Sequence, residues 1–223
     1  MEFLFDTANL SLLEEMVPVY PVTGVTTNPS IIAAEGRIDV YAHLRRIREI
    51  IGDDRSLHVQ VLATSSDGIV ADAHRLAENV DERVYVKIPT TEPGVHAMRV
   101  LKGEGLRVTA TAVYSRVQGM LAVAAGADYL APYYNRMESL DIDAQATVAS
   151  LAVFAARHGS GCRVLVASFK NPAQISAAFD AGAHAVTVGP QMLQAALATA
   201  DVKQAVGAFG DDWRATFGTD HLP

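Results

Sequence analysis

A single cysteine, Cys162, stands in the 223 residues, which rules out an internal disulfide. Lysine is almost as scarce, with only Lys87, Lys102, Lys170 and Lys203. No basic run occurs and the formal net charge is -7, so neither a nucleic acid nor an anionic membrane surface is expected as a partner. No apolar stretch approaches the roughly 20 residues that span a bilayer. The opening MEFLFDTAN lacks the basic and long apolar segments of a signal peptide, so a cytoplasmic protein is expected. No cysteine and histidine cluster has metal-ligand spacing, and no metal is expected either.

What remains is a chain half hydrophobic and 19% charged, enough to bury one full core. A single domain over residues 1–223 is expected. Eight short apolar runs can be read: Phe3 to Asp6, Gly24 to Thr27, His58 to Leu62, Val84 to Ile88, Arg107 to Val113, Tyr129 to Tyr133, Arg163 to Ala167, and Ala185 to Val188. Helical spacing follows them, as in Val40, Leu44, Ile47 and Ile51. Strand alternating with helix predicts a parallel sheet. Eight such units in about 200 residues predict an α/β fold, the (β/α)8 TIM barrel, with chemistry at the carboxyl ends of the strands. A doubly wound open sheet is the alternative, but no GxGxxG follows the first run.

Capping signals agree with this division. Ser115 with Gln118, and Asn171, Pro172 and Gln174, predict helix starts, while Gly182 is placed to end a helix. A faint repeat, AGADYLAP against AGAHAVTVGP, reads twice as helix, glycine cap and strand, which suits repeated βα units.

One residue breaks the apolar pattern. In VYVKIPTT, Val84, Val86 and Ile88 alternate with Tyr85, Lys87 and Pro89, so Lys87 lies on the face opposite the β-branched set. A buried lysine loses solvation as a cation, its pKa falls, and the neutral amine attacks carbonyls. The alternative is a lysine whose stem alone is buried, its head reaching solvent or a structural carboxylate. Lys170 is the competing nucleophile, but it sits in a polar FKNP turn; Lys102 and Lys203 lie on helices among polar residues.

In a barrel the strand ends also deliver Asp6, Thr26 with Asn28, Gln60, Thr111, Tyr133 with Arg136, and Ser168. Singly, each has an ordinary reading: Asp6 or Asn28 as a cap, the threonines as strand residues, Gln60 and Ser168 as satisfied polar groups. Arg136 and Ser168 follow strands six and seven, where barrels often bind phosphate; a surface ion pair of Arg136 with Glu138 or a nearby aspartate is the alternative.

The stretches FDTAN, GVTTNPSII, VQVLATS, VKIPTT, TAVYS, APYYNR and VLVASFKNP occur in this order, and from Phe5 to Phe217 the chain resembles the small transaldolase and fructose-6-phosphate aldolase family. That resemblance implies a Schiff-base aldolase on a (β/α)8 barrel, without metal or organic cofactor, with Lys87 matching the Schiff-base lysine. It implies that Asp6 and Asn28 hold donor hydroxyls and assist proton transfers, that Thr26 and Ser168 line the donor pocket, and that Gln60, Thr111 and Tyr133 position a catalytic water. Arg136 matches the residue that receives the acceptor phosphate. Transaldolases of the family carry glutamate and phenylalanine where this chain has Gln60 and Tyr133, so it resembles the aldolase branch.

The substrates implied are fructose 6-phosphate or a related sugar phosphate, cleaved to dihydroxyacetone and glyceraldehyde 3-phosphate, with transaldolase activity as the alternative. The chain departs from the aldolase pattern at Thr109 and Ala110, which replace an apolar residue and a glycine, and at Tyr134, which replaces a small aliphatic one. A pyridoxal-phosphate barrel and a sugar-phosphate binding barrel without turnover are the rival readings.

After the eighth unit, Val202, Val206, Phe209, Trp213 and Phe217 make an apolar stripe on a helix over 201–217. A homo-oligomer joined partly through this helix is expected, pentameric or decameric by the resemblance; the alternative is a helix that covers its own barrel.

Overall fold

Eight parallel strands close into a barrel in sequence order: β1 (Glu2–Asp6), β2 (Val22–Thr26), β3 (Ser56–Gln60), β4 (Tyr85–Pro89), β5 (Arg107–Val113), β6 (Tyr129–Pro132), β7 (Arg163–Val166) and β8 (Ala185–Val188). The computed structural model describes residues 1–158 and 161–222. Between the strands run α1 (Leu10–Met16), α2 (Pro29–Ala34), α3 (Val40–Ile51), α4 (Ser66–Asn79), α5 (Glu92–Gly103), α6 (Arg116–Ala124), α7 (Tyr134–Glu138), α8 (Ala144–Arg157) and α9 (Pro172–Asp180). The chain ends in α10 (Pro190–Leu197) and α11 (Ala200–Phe217). Met1–Pro190 is one compact unit, and the residues from Gln191 onward form a second. This is the expected (β/α)8 barrel, with a helix after its eighth unit.

The strands are short and buried on both faces, so side-chain alternation sorts them into two sets. Phe5, Val25, Val86, Ile88, Val108, Val164 and Val186 supply the apolar set, and all are fully buried. Inside the barrel Leu4, Tyr129, Leu165 and Ala185 pack together with Tyr85 against them. Above that cluster the inward positions turn polar, with Asp6 opposite Thr26 and Gln60 opposite Lys87.

Both repeated segments end a helix in the same way. Gly126 and Gly182 have φ of 91° and 88°, and the next amide reaches back to the helix: Ala127 to the Ala122 carbonyl at 3.1 Å, Ala183 to that of Ala178 at 3.0 Å. The chain then enters β6 or β8. Ser115 and Gln118 form a reciprocal capping box on α6, and Asn171 caps α9 ahead of Pro172.

Two strands begin two residues before the positions read from sequence. β2 starts at Val22 rather than Gly24 because Gly24 is an interior residue, not a boundary. A Cβ there would collide with the Ser56 hydroxyl and carbonyl of β3. β3 starts at Ser56, a residue that reads as loop, because its hydroxyl bonds His58 Nε2 at 2.9 Å inside the barrel. β6 stops at Pro132, and Tyr133 continues only as an isolated bridge to Ala167. Among the described residues no helix is long and apolar enough to cross a membrane.

Candidate active site

Lys87 sits on the inner face of β4, only 4% exposed. Its Nζ donates to the Thr27 carbonyl at 2.7 Å, and it makes no ion pair among the described residues. Burial lowers its pKa below the usual 10.5, and the negative charge of Asp6 offsets part of that effect. The alternative of a solvated head or a structural carboxylate partner is therefore not what the chain adopts. Lys102 does have such a partner, both oxygens of Asp128 at 2.8 Å. Lys170 is exposed in its turn.

Asp6 ends β1 and accepts the Thr26 hydroxyl on Oδ1 at 2.6 Å. Thr26 is completely buried and also meets the hydroxyl of Thr187 on β8, again at 2.6 Å. Asn28 combines its ordinary reading with a free group. Its Oδ1 caps α2 by accepting from the Ile31 amide at 3.0 Å, and its Nδ2 has no partner among the described residues.

Across the barrel mouth, Thr111 and Tyr133 share a hydrogen bond of 3.0 Å. Burial raises the pKa of the Tyr133 phenol, opposed by the Thr111 bond and the charge of Arg136, so it is a neutral O–H at physiological pH. Gln60 Oε1 is buried without a hydrogen-bond partner among the described residues. A buried acceptor left open in this way is suited to a water or a substrate hydroxyl. The strand that carries Thr111 bulges directly after it, with Ala112 at φ 55° and a register shift between Ala110 and Val113.

Arg136 lies on α7 with its guanidinium over the Tyr133 ring, 5.0 Å from the centroid. Its Nη1 donates to the Tyr114 hydroxyl at 3.2 Å, and the two tyrosine rings meet edge to face at 5.6 Å. The alternative, an ion pair of Arg136 with Glu138 or a nearby aspartate, does not form among the described residues; Glu138 accepts from the Gln174 amide instead. Ser168 follows β7 with φ 66°, a conformation rare for a non-glycine residue. The Asn135 amide donates to its carbonyl at 2.8 Å, which sets the Arg136 and Ser168 loops side by side.

The structure thus brings Asp6, Thr26, Lys87, Thr111 and Tyr133 into the barrel mouth, with Asn28, Gln60, Arg136 and Ser168 at the adjoining strand ends. It adds Thr187 and Tyr114, which the sequence reading missed. Threonine in a strand is unremarkable, and the value of Thr187 depends on β8 closing beside β1. Tyr114 stood in the quoted TAVYS, but nothing there indicates the arginine 22 residues on. A cavity of about 670 Å³ adjoins the site between α2, α3 and β3, lined by Asn28 and Gln60 and by apolar residues such as Ile32, Tyr41 and Leu44. Among the described residues no three His, Cys, Asp or Glu side chains are grouped to hold a metal ion.

A family model described as Transaldolase/Fructose-6-phosphate aldolase matches residues 3–220. The chain belongs to the transaldolase/fructose-6-phosphate aldolase family. A relative from Streptococcus pneumoniae, named probable fructose-6-phosphate aldolase, is 45% identical over 213 residues, 96% of each chain. Two solved structures share the fold at low identity. One, described as native KDPGal, has a TM-score of 0.56 at 14% identity and covers 84% of this chain and 81% of its own. The other is a cube-shaped, highly porous protein cage designed by fusing symmetric oligomeric domains; its TM-score is 0.59 at 13% identity, over 97% of this chain and 78% of that one. Membership makes the chain an enzyme of the aldolase and transaldolase kind and sets its chemistry among sugar phosphates.

Proposed function

We propose that this enzyme is a class I aldolase that cleaves fructose 6-phosphate, or a related sugar phosphate, to dihydroxyacetone and glyceraldehyde 3-phosphate. The observation that carries the reading is Lys87: a buried amine on an inner strand face, without a carboxylate partner among the described residues and with its proton loosened by burial.

The neutral amine adds to the ketose carbonyl, and loss of water gives an iminium. The C3–C4 bond then breaks as the C4 hydroxyl loses its proton. Glyceraldehyde 3-phosphate departs, and the bonding electron pair enters an enamine on Lys87. Protonation of that enamine and addition of water return dihydroxyacetone and the free lysine. Asp6 and a water held by Gln60, Thr111 and Tyr133 are the groups available for these proton transfers. Arg136, held by Tyr114 and Tyr133, is the cation for the acceptor phosphate, with Ser168 beside it.

Gln60 and Tyr133 favour the aldolase over the transaldolase reading. A glutamine orients a water but exchanges no proton, which leaves the phenol as the acid and base. Incubation with fructose 6-phosphate and borohydride is expected to add the mass of a reduced dihydroxyacetone adduct to the peptide containing Lys87. Mass on Lys170 would refute the assignment, and the absence of any adduct would leave a binding barrel. A yellow protein as purified would favour the pyridoxal-phosphate alternative.

The same reading includes a cytoplasmic homo-oligomer with α11 at the subunit interface. α11 has no buried residue, and Val202, Val206, Phe209 and Phe217 all stand exposed along it.

A further inference from the structure

The hydroxyl pair beneath Asp6 has a direction that can be worked out. Thr26 Oγ1 contacts two oxygens, Asp6 Oδ1 and Thr187 Oγ1, each at 2.6 Å. A threonine hydroxyl carries one proton and two acceptor lone pairs, and a carboxylate can only accept. The single proton of Thr26 therefore goes to Asp6, and the proton in the other contact must come from Thr187. The two hydroxyls form a one-way chain, from Thr187 to Thr26 to the carboxylate.

The topology explains why they meet. β1 is flanked by β2 and β8, with Asp6 opposite Thr26 and Leu4 opposite Thr187. Thr187 thus reaches the β2 hydroxyl from one level below Asp6. Both hydroxyls are buried, so water does not compete for these bonds.

We propose that Thr187 is a positioning residue of the reaction: acting through Thr26, it fixes the Asp6 carboxylate with Oδ1 tied down and Oδ2 left to exchange protons with the bound sugar. The inference rests on the aldolase reading of Asp6 and Lys87. It also alters the role of Thr26. With its proton committed, that residue has none to offer a donor hydroxyl, and it orients Asp6 rather than serving as a hydrogen-bond donor to the sugar.

Thr187→Val keeps the shape and removes the donor. It is expected to lower kcat for fructose 6-phosphate cleavage on the order of ten- to a hundredfold, the effect of a misplaced reacting group, with KM little changed. Thr187→Ser keeps the hydroxyl and is expected to restore most of the loss. In an Asp6→Asn background Thr187→Val should cost nothing further, because the chain then ends on a group outside the proton transfer. If Thr187→Val does not fold, Thr187→Ala takes its place in the same cycle. Wild-type kcat in the valine or alanine variant, a serine variant as slow as valine, or full additivity with Asp6→Asn would each overturn the proposal. Failure of the underlying reading looks different: no trapped adduct on Lys87 in the wild type, or an Asp6→Asn enzyme of undiminished activity.

Discussion

In the proposed mechanism a phenol and a carboxamide decide whether the donor fragment leaves the enzyme or waits for another aldehyde. Tyr133→Phe is expected to lower dihydroxyacetone release by about 10²- to 10⁴-fold, the usual worth of a general acid, while the yield of borohydride-trapped adduct falls far less. Adding Gln60→Glu should raise transfer of the trapped unit to erythrose 4-phosphate, read as sedoheptulose 7-phosphate formed. Undiminished release in Tyr133→Phe would exclude the phenol as the acid. Deeper in the barrel, His58 is held between Thr109 Oγ1 at 2.8 Å and the Ser56 hydroxyl, and its imidazole stacks on Tyr85 at 4.5 Å. Burial, then the charges of Lys87 and Arg48, keep its pKa well below 6.5. The unfolded chain takes up that proton near pH 6.5 and the folded one does not, so stability is full above 6.5 and declines as the pH falls below it. The slope attributable to one such group is about 1.4 kcal/mol per pH unit at most. Urea midpoints between pH 7.5 and 5.5 should show the decline, and it should be shallower in His58→Phe. An unchanged slope would remove His58 from the account. Lys87, Gln60 and Tyr133 were legible in the sequence because each is chemically out of place in an apolar strand or belongs to a quoted motif. His58 was not, since its meaning lies in Thr109, the very residue that departs from the aldolase pattern. The threonine that looked like an intrusion has a buried partner two strands over, across β4.

Among the elements, caps and strand alternation were legible because they are local: the Ser115 box and the Asn171 cap depend on residues three apart. Gly24 was misread as a boundary because its role is set by Ser56, on another strand. Gly24→Ala should cost about 1–3 kcal/mol in urea unfolding, or more, since the obstructing atoms include a backbone carbonyl that cannot swing aside. Gly103 provides the contrast within the same molecule. It ends α5 with open space around it and no positive φ, so Gly103→Ala is expected to stabilise by about 0.4–1 kcal/mol. Equal effects at the two sites would contradict the packing argument for Gly24. The short helices α2 and α7 escaped the sequence reading because five or six residues give too little periodicity to register.

For the molecule as a whole, the barrel was legible from eight strand and helix alternations, whereas the proposed assembly rests on one amphipathic tail. Sedimentation of the intact chain should give the mass of a closed homo-oligomer, and truncation before Asp201 should reduce that mass. A monomer would refute the oligomer, and an unchanged assembly after truncation would relieve α11 of its role. The bond between Thr26 and Thr187 also has a consequence in time, because it joins residues 161 positions apart. At about 5–20 residues per second of synthesis, roughly 10–30 s separate the emergence of the first from that of the second. Through that interval β1 is without its β8 neighbour, one edge unsatisfied, and the Thr26 hydroxyl beside Asp6 is without Thr187. On the proposed reading, the nascent enzyme carries its lysine long before it can use it.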